Sequence, residues 1–270
     1  LPELPPICSF WYGDLSYLAR LCLASFVEKG HKVTLFSYDD LGGLPPGVHL
    51  ADASEVLPRE KMFFYKGTRT PAVFSDLFRL ELMAQNRGIW VDCDVYCVRP
   101  FDSLPPYVFG YENYPTLRNG FAAQVNQAVF ACPAHSELLA ALKAVFTSGN
   151  IPPGLAPWRH AEVVVRRALG EDLPVHHMQF GATGPVPLNH YIKAMNLTGY
   201  VQPKTVFYPV DYGTADRLLQ KGSRIEDFVA PDTLAVHIWN SALTARASGT
   251  LARPEPDSFI YNELHRLGLV

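Results

Sequence analysis

The chain has 270 residues, 48% hydrophobic, 12% aromatic and 18% charged, with a formal net charge of -3. This composition excludes a disordered chain and suits one large folded domain or two small ones. With no Lys/Arg run longer than two residues, neither nucleic acid nor an anionic membrane is expected as the main partner through a basic face.

No stretch approaches the ~18 consecutive apolar residues of a transmembrane helix, so no membrane span is expected. The opening "LPELPPICSFWYG" lacks the basic start and apolar core of a signal peptide. The five cysteines (Cys8, Cys22, Cys93, Cys97, Cys132) have no CxxC spacing. That fits a reduced chain better than a disulfide scaffold or zinc site. A cytoplasmic location is expected, with a peripheral place at the inner face of the membrane as the alternative. No amphipathic basic helix is evident to support that alternative.

In chain order, "ICSFWYG" reads as a short strand ending at Gly13, followed by helical spacing at Leu18, Leu21, Cys22, Ser25 and Phe26. Gly30 stops that helix, and "KVTLFSY" (32–38) is a second strand. Strand, helix and strand at this spacing predict a parallel sheet with helices on its faces. Residues 70–86 form the next helix, capped by Thr70, with Pro71 in its first turn and a buried stripe of Phe74, Leu77, Phe78 and Leu82. Gly88 ends it, and Ile89-Trp90-Val91 reads as a central strand. "GFAAQVNQAVFACP" (120–133) supplies one or two strands, 136–149 and 160–169 are helical, "TLAVHIW" (233–239) is a late strand and the tail ends in a short helix. One α/β domain is expected over residues 1–270.

The acidic pair Asp92-Cys93-Asp94 follows the apolar strand directly. Ionised carboxylates are costly to bury alone, so a cation, basic groups or a hydrogen-bond network should compensate them. Read as strand positions i and i+2, Asp92 and Asp94 point to one face and can converge on one ligand. In open α/β sheets that place, beyond the carboxyl end of a strand, is where ligands bind. Two hard oxygen donors suit Mg²⁺ or Mn²⁺. An isolated D-x-D is more often a pair of turn acids; its neighbours here reverse that preference. Upstream, Asp76 and Arg79 share a helix face, either as a surface ion pair or as a fixed pair for recognising sugar hydroxyls.

The span "FSDLFRLELMAQNRGIWVDCDVYCVRPF" (74–101) resembles the sugar-binding region of DXD-containing glycosyltransferases of family 32. These include Och1-type mannosyltransferases, and the clostridial glucosylating toxins share a related core. The family pattern, S-D-x-x-R on a helix, a Gly-rich turn, an apolar strand and D-x-D, is matched by Ser75, Asp76, Arg79, Gly88, Asp92 and Asp94. Arg87-Gly88-Ile89 departs from it, since the family commonly has two glycines and an aromatic there. "SFWYG" (9–13) resembles the family's opening strand, making Phe10, Trp11 and Tyr12 candidates for facing the nucleotide, although an aromatic core anchor is an equal reading. "VNQAVFACP" resembles a segment carrying an Asn near donor and acceptor, which points to Asn126 or Gln127. "TGP" (183–185) matches a short family turn. "HIWNS" resembles the closing segment of metal-dependent sugar transferases, with His237 and Trp239 on one strand face; a lone His is otherwise more often a core group.

The resemblance implies an α/β fold of the GT-A nucleotide-sugar-binding type, a mixed central sheet with helices on both faces, with 1–105 the nucleotide-sugar-binding part and 106–270 the acceptor-binding and closing part. It implies metal-dependent transfer from a nucleotide sugar, UDP-sugar favoured, to a glycan or lipid-linked acceptor, with retention of configuration. Asp94 is expected to hold Mn²⁺ or Mg²⁺ directly, with Asp92 and His237 beside it. Asp92 or its bound water would also meet ribose or sugar, and Ser75, Asp76, Arg79 and Trp239 would line the donor. Two alternatives stay open: a haloacid-dehalogenase-like phosphohydrolase and a non-catalytic sugar-nucleotide-binding module. The first is disfavoured by Tyr96, where those enzymes prefer Thr or Val, and by a motif far from the chain start.

Overall fold

The computed structural model describes residues 3–68, 70–115, 123–147, 149–179, 181–245 and 247–269. Its centre is a six-stranded sheet of order β3-β2-β1-β4-β7-β6. The strands are β1 (Ile7–Phe10), β2 (Val33–Ser37), β3 (Val48–Asp52), β4 (Ile89–Val91), β6 (Val108–Asn113) and β7 (Gln124–Ala131). β1 runs parallel to β2 and β4, and β2 to β3, while β7 is antiparallel to β4 and β6 antiparallel to β7. The sheet is therefore mixed, and it takes its strands from both sides of residue 105. Residues 120–122 of the anticipated strand region lie outside the described residues; the rest forms the single strand β7.

Alternation along the strands sorts their side chains onto two faces. Cys8, Phe10, Phe36, Trp90 and Phe130 point to one side and pack with Phe74, Phe78 and Leu82 of α2 (Ala72–Ala84). The same layer holds Leu138 and Leu142 of α3 (Glu137–Ala144) and Leu188 of α5 (Pro185–Ala194). Ile7, Val33, Leu35, Ile89, Val91 and Val129 point to the other side and meet Ala19, Leu23 and Phe26 of α1 (Tyr17–Glu28). Ser16 caps α1, accepting from the Ala19 N–H.

A two-stranded antiparallel sheet, β5 (Val95–Cys97) with β8 (Ala235–His237), covers the outer side of α1. Leu18, Leu21 and Cys22 of α1 pack there with Tyr96, Val236 and Phe259, the last from α8 (Phe259–Arg266). The remaining helices are α4 (Pro157–Ala168), α6 (Lys204–Phe207) and α7 (Asn240–Leu243). No helix among the described residues is long and apolar enough to cross a membrane.

Four local expectations need correction. Thr70 does not cap α2: Pro71 occupies the cap position and makes no side-chain capping bond, because a Pro at the entry already fixes the chain and lacks an N–H. Asp92-Cys93-Asp94 is not strand but a tight turn between β4 and β5, closed by Val95 N–H donating to Asp92 O at 3.0 Å. Trp239 lies beyond β8 in the left-handed region, φ 61°. Finally, α4 is amphipathic, with Trp158, Val164, Val165 and Leu169 (just past its end) exposed on the outside.

Gly88 is demanded by close approach. With φ 127°, a Cβ there would stand 2.2 Å from the Pro6 carbonyl oxygen, the group that accepts the Ile89 N–H at 2.8 Å. That contact starts β4 beside β1 and aims the chain at the acidic turn.

Candidate functional site

The Asp92–Asp94 turn lies at the floor of a cleft of about 600 Å³, and the sheet pairings explain what meets it. Asp92 N–H donates to Ala128 O at 2.7 Å, so the β4–β7 ladder brings Asn126 and Gln127 alongside. On the other flank β5 pairs with β8, Val95 opposite His237, and Ile238 N–H donates to Asp94 O at 2.8 Å. Two carboxylates are thus delivered between two ladders, one bringing amides and the other an imidazole.

Arg79 and Asp76 project toward this floor from one face of α2. The Arg79 guanidinium, 3% exposed, donates to Asp76 Oδ1 at 3.1 Å and to Asp92 Oδ1 at 2.9 Å. It lies over the Trp90 ring, 4.7 Å from its centroid, while the Trp90 indole N–H donates to Asp92 Oδ1 at 2.6 Å. Asp76 also accepts from Gln127 Nε2 at 2.8 Å and Thr183 Oγ1 at 2.7 Å. The pair is therefore no surface i,i+3 ion pair but the centre of a buried network. Burial raises the Asp76 carboxyl above its usual value more than Arg79 and Thr183 lower it.

The acidic pair is split electrically. Asp94 would be raised by burial, but His237 and the Asn240 N–H outweigh that and hold it below the usual carboxylate range. Its Oδ1 lies 3.2 Å from His237 Nε2, and its Oδ2 accepts the Asn240 N–H at 2.8 Å. Burial in the cleft raises Asp92 more than Arg79 lowers it, and repulsion from Asp94 adds to the rise. His237 would be lowered by burial, yet Asp94 keeps it above its ordinary value.

Ligating atoms of Asp92, Asp94 and His237 all lie within 4.8 Å of one another. His237 Nδ1 is buried with no hydrogen-bond partner among the described residues, so the imidazole retains a nitrogen that protein contacts do not consume. Two carboxylates and an imidazole around one centre form a donor set that fits Mn²⁺ or Mg²⁺ with water completing the shell.

Phe10, Trp11, Ser75, Asn126, Gln127 and Trp239 all line this cleft with the charged residues. Phe10 also sits in an aromatic cluster with Phe74 and Phe78, ring centroids 5.6 and 4.7 Å away, so the core and cleft readings both describe it. Tyr12 is not brought to the cleft wall. Its ring packs on Phe64 at 5.4 Å, because the chain leaves the sheet after Phe10. Trp239 meets His237 with ring centroids 4.0 Å apart and donates its indole N–H to Val210 O at 2.7 Å. A bulky residue with positive φ is strained; here the strained turn presents the Asn240 N–H to Asp94.

Thr183 and Glu112 were missed as site residues. Thr183 lies inside the "TGP" turn, but nothing local signals its bond to a carboxylate 107 positions away. Glu112 lines the cleft from β6 and accepts a hydrogen bond from Asn126 Nδ2; an acid in "GYEN" carries no spacing signal.

Residues 60–147 match the family model described as "Capsular polysaccharide synthesis protein". This span runs from before α2 through β4, the acidic turn and β7 to the end of α3. A comparison with curated proteins gives no match. Among solved structures, the chain is similar to a WbbM bifunctional glycosyltransferase in its apo form, with 10% identity and a TM-score of 0.38. The likeness covers 99% of this chain and 50% of that one, so the chain spans about half its length.

Proposed function

We propose that this protein is a metal-dependent glycosyltransferase of the GT-A type. It moves a sugar from a nucleotide-sugar donor, UDP-sugar favoured, to a hydroxyl of a glycan or lipid-linked acceptor. The observation that carries the reading is the convergence of Asp76 and Arg79 with the Asp92–Asp94–His237 group in one cleft. The match of residues 60–147 to a capsular polysaccharide synthesis family supports the same class.

Asp94 and His237 would hold the cation, Mn²⁺ or Mg²⁺, and Asp92 would reach it directly or through water. When bound, such an ion supplies charge stabilisation for the departing diphosphate. Arg79 and Trp90 occupy Asp92 Oδ1, leaving Oδ2 for ribose, sugar or water. Asp76 is fixed by Arg79, Gln127 and Thr183 and offers its remaining acceptor capacity to a sugar hydroxyl, a preorganised contact with little reorganisation cost. Trp11 and Trp239 supply apolar walls for base and sugar. The acceptor oxygen bonds to the anomeric carbon as the sugar–phosphate bond breaks, and the acceptor proton passes to the leaving diphosphate. Retention of configuration belongs to this reading.

The test is a thermal-shift panel of UDP, GDP, CMP and their sugar conjugates with and without Mn²⁺, followed by assay of nucleotide release. A stabilisation by one nucleotide family that requires the cation is expected; ligand at about a hundredfold excess over its Kd adds roughly 2.7 kcal/mol. Absence of any shift would move the assignment to the phosphohydrolase or to a domain without this activity, and turnover of simple phosphate esters would select the phosphohydrolase. Binding without turnover would leave a sugar-nucleotide-binding module. Proton NMR of the first-formed product decides retention.

A further inference from the structure

We propose that α4 docks the protein on an anionic phospholipid surface. Four of the large hydrophobic side chains exposed on the described surface belong to this one segment: Trp158 at 61%, Val164 at 46%, Val165 at 56% and Leu169 at 76%. With the exposed Ala161 and Ala168, they make a continuous apolar outer face, while Val163 points inward and is buried. An amphipathic helix normally turns its apolar side to the core; α4 keeps most of its apolar side in solvent.

The arginines sit at the edges of that face. α4 itself carries Arg159, Arg166 and Arg167 against Glu162, and Glu171 and Asp172 follow just past its end. Arg159 lies over the Trp158 ring at 3.9 Å and pairs with Glu162 at 2.8 Å. Arg166 pairs with Glu171 at 2.7 Å. Arg167 is held by the carbonyls of Gly149, Asn150 and Leu173, and no described carboxylate neutralises it. Trp at one end, aliphatic residues along the middle and cations on the shoulders are the chemistry of a helix lying in the headgroup layer.

A second copy of the chain is the poorer occupant. The face belongs to one helix about 18 Å long. It is too small to approach the roughly 800 Å² per partner of a standard protein interface. A bilayer needs only the apolar strip and its basic edges.

The test is co-sedimentation of the full chain with vesicles of phosphatidylcholine alone and of phosphatidylcholine with phosphatidylglycerol. Sedimentation with the anionic vesicles is expected, with a blue shift of tryptophan emission that Trp158→Phe removes. Val165→Glu with Leu169→Glu should lower partition by about tenfold or more, since burying one such side chain is worth at least that factor. Circular dichroism and the nucleotide thermal shift should stay unchanged, which separates loss of docking from loss of fold. A chain left in the supernatant with both vesicle types overturns the proposal. So does a solution dimer that the double variant converts to monomer, which would assign the face to a second copy. Equal sedimentation with phosphatidylcholine alone overturns the choice of an anionic surface.

Discussion

Arg79→Ala tests whether the guanidinium is the keystone of the cleft floor. The Asp76 arm is 3.1 Å long with side chains 4% and 16% exposed, so it behaves as a buried pair. Breaking a buried pair by removing one partner costs about 3–5 kcal/mol. Asp76 keeps Gln127 and Thr183, which places its share at the low end of that range. The Asp92 arm is shorter, 2.9 Å, but Asp92 is 33% exposed, and solvent screens it toward the ~1 kcal/mol or less of a surface pair. The sum is about 3 kcal/mol, which at roughly 2–4 °C per kcal/mol for a chain of this size lowers Tm by about 6–12 °C. Calorimetry reads it, and a double-mutant cycle with Asp92→Asn isolates the smaller arm. Arg79→Lys should recover only part, because an ammonium is a single point charge and cannot fork between two carboxylates. If Arg79→Ala stays within about 1 kcal/mol of the parent, the buried-network account is wrong, whatever happens to turnover.

Asp94→Asn should abolish cation-dependent donor binding in isothermal titration, since it removes a ligand and the charge that holds His237; normal binding of both donor and Mn²⁺ would sink the metal assignment. Gly184→Ala should weaken the cleft by crowding both Gln127 and the Asp76 carboxylate, whose Oδ2 would lie 3.0 Å from the new Cβ. Its Cβ would stand 2.3 Å from Gln127 Nε2, forcing that amide off Asp76 at about 1–3 kcal/mol for an unsatisfied buried group; an unchanged urea midpoint would show that Gln127 has another place to go. Acid stability should depend on Arg266, which bonds Glu28 and Glu263. Arg266 lowers Glu28, and at Glu263 its bonds and that of Tyr96 outweigh the upward push of burial. Folded values below the unfolded 4.5 contribute stability that is present above that pH and lost as pH falls through the folded values. The Tm gap between the parent and Arg266→Ala should accordingly shrink between pH 6 and pH 3, and a gap independent of pH would contradict the pairing.

The elements legible in the sequence were those whose signal is local: short apolar runs for β1 and β2, which are buried on both faces, and helical apolar spacing for α1 and α2. The edge strand β3 went unread because it is only half-buried along "VHLAD", which blurs alternation. β6 is interrupted by Gly110 and two register shifts. α5 opens with Pro185 and Pro187, residues that read as a turn but are tolerated in the first turn of a helix. α4 was found as a helix, yet its outward apolar face was invisible, because periodicity reports that a helix has two faces and not which one is covered.

The site shows the same division. Asp76, Arg79, Asp92 and Asp94 were legible because they sit within 19 positions of one another in a pattern, and His237 through the resemblance of "HIWNS" to a closing segment of metal-dependent sugar transferases. Their arrangement was not. Placing the two acids in a strand predicts one shared ligand face, whereas the turn sends them to different partners: Asp92 to Arg79 and Trp90, Asp94 to His237 and Asn240. That difference has a physical consequence. Asp92 meets a guanidinium 13 positions away on α2, and Asp94 meets an imidazole 143 positions away. The strand-end acids are tolerable in this fold because each already has polar partners, Arg79 and Trp90 for Asp92 and His237 with the Asn240 N–H for Asp94. A cation entering between Asp94 and His237 therefore competes with an existing contact for its place. Glu112, Thr183 and Gln127 complete the cleft through partners 14, 107 and 51 positions away. Such contacts are made by the closing of two β-ladders around one turn, so they become readable only once the strand order is known.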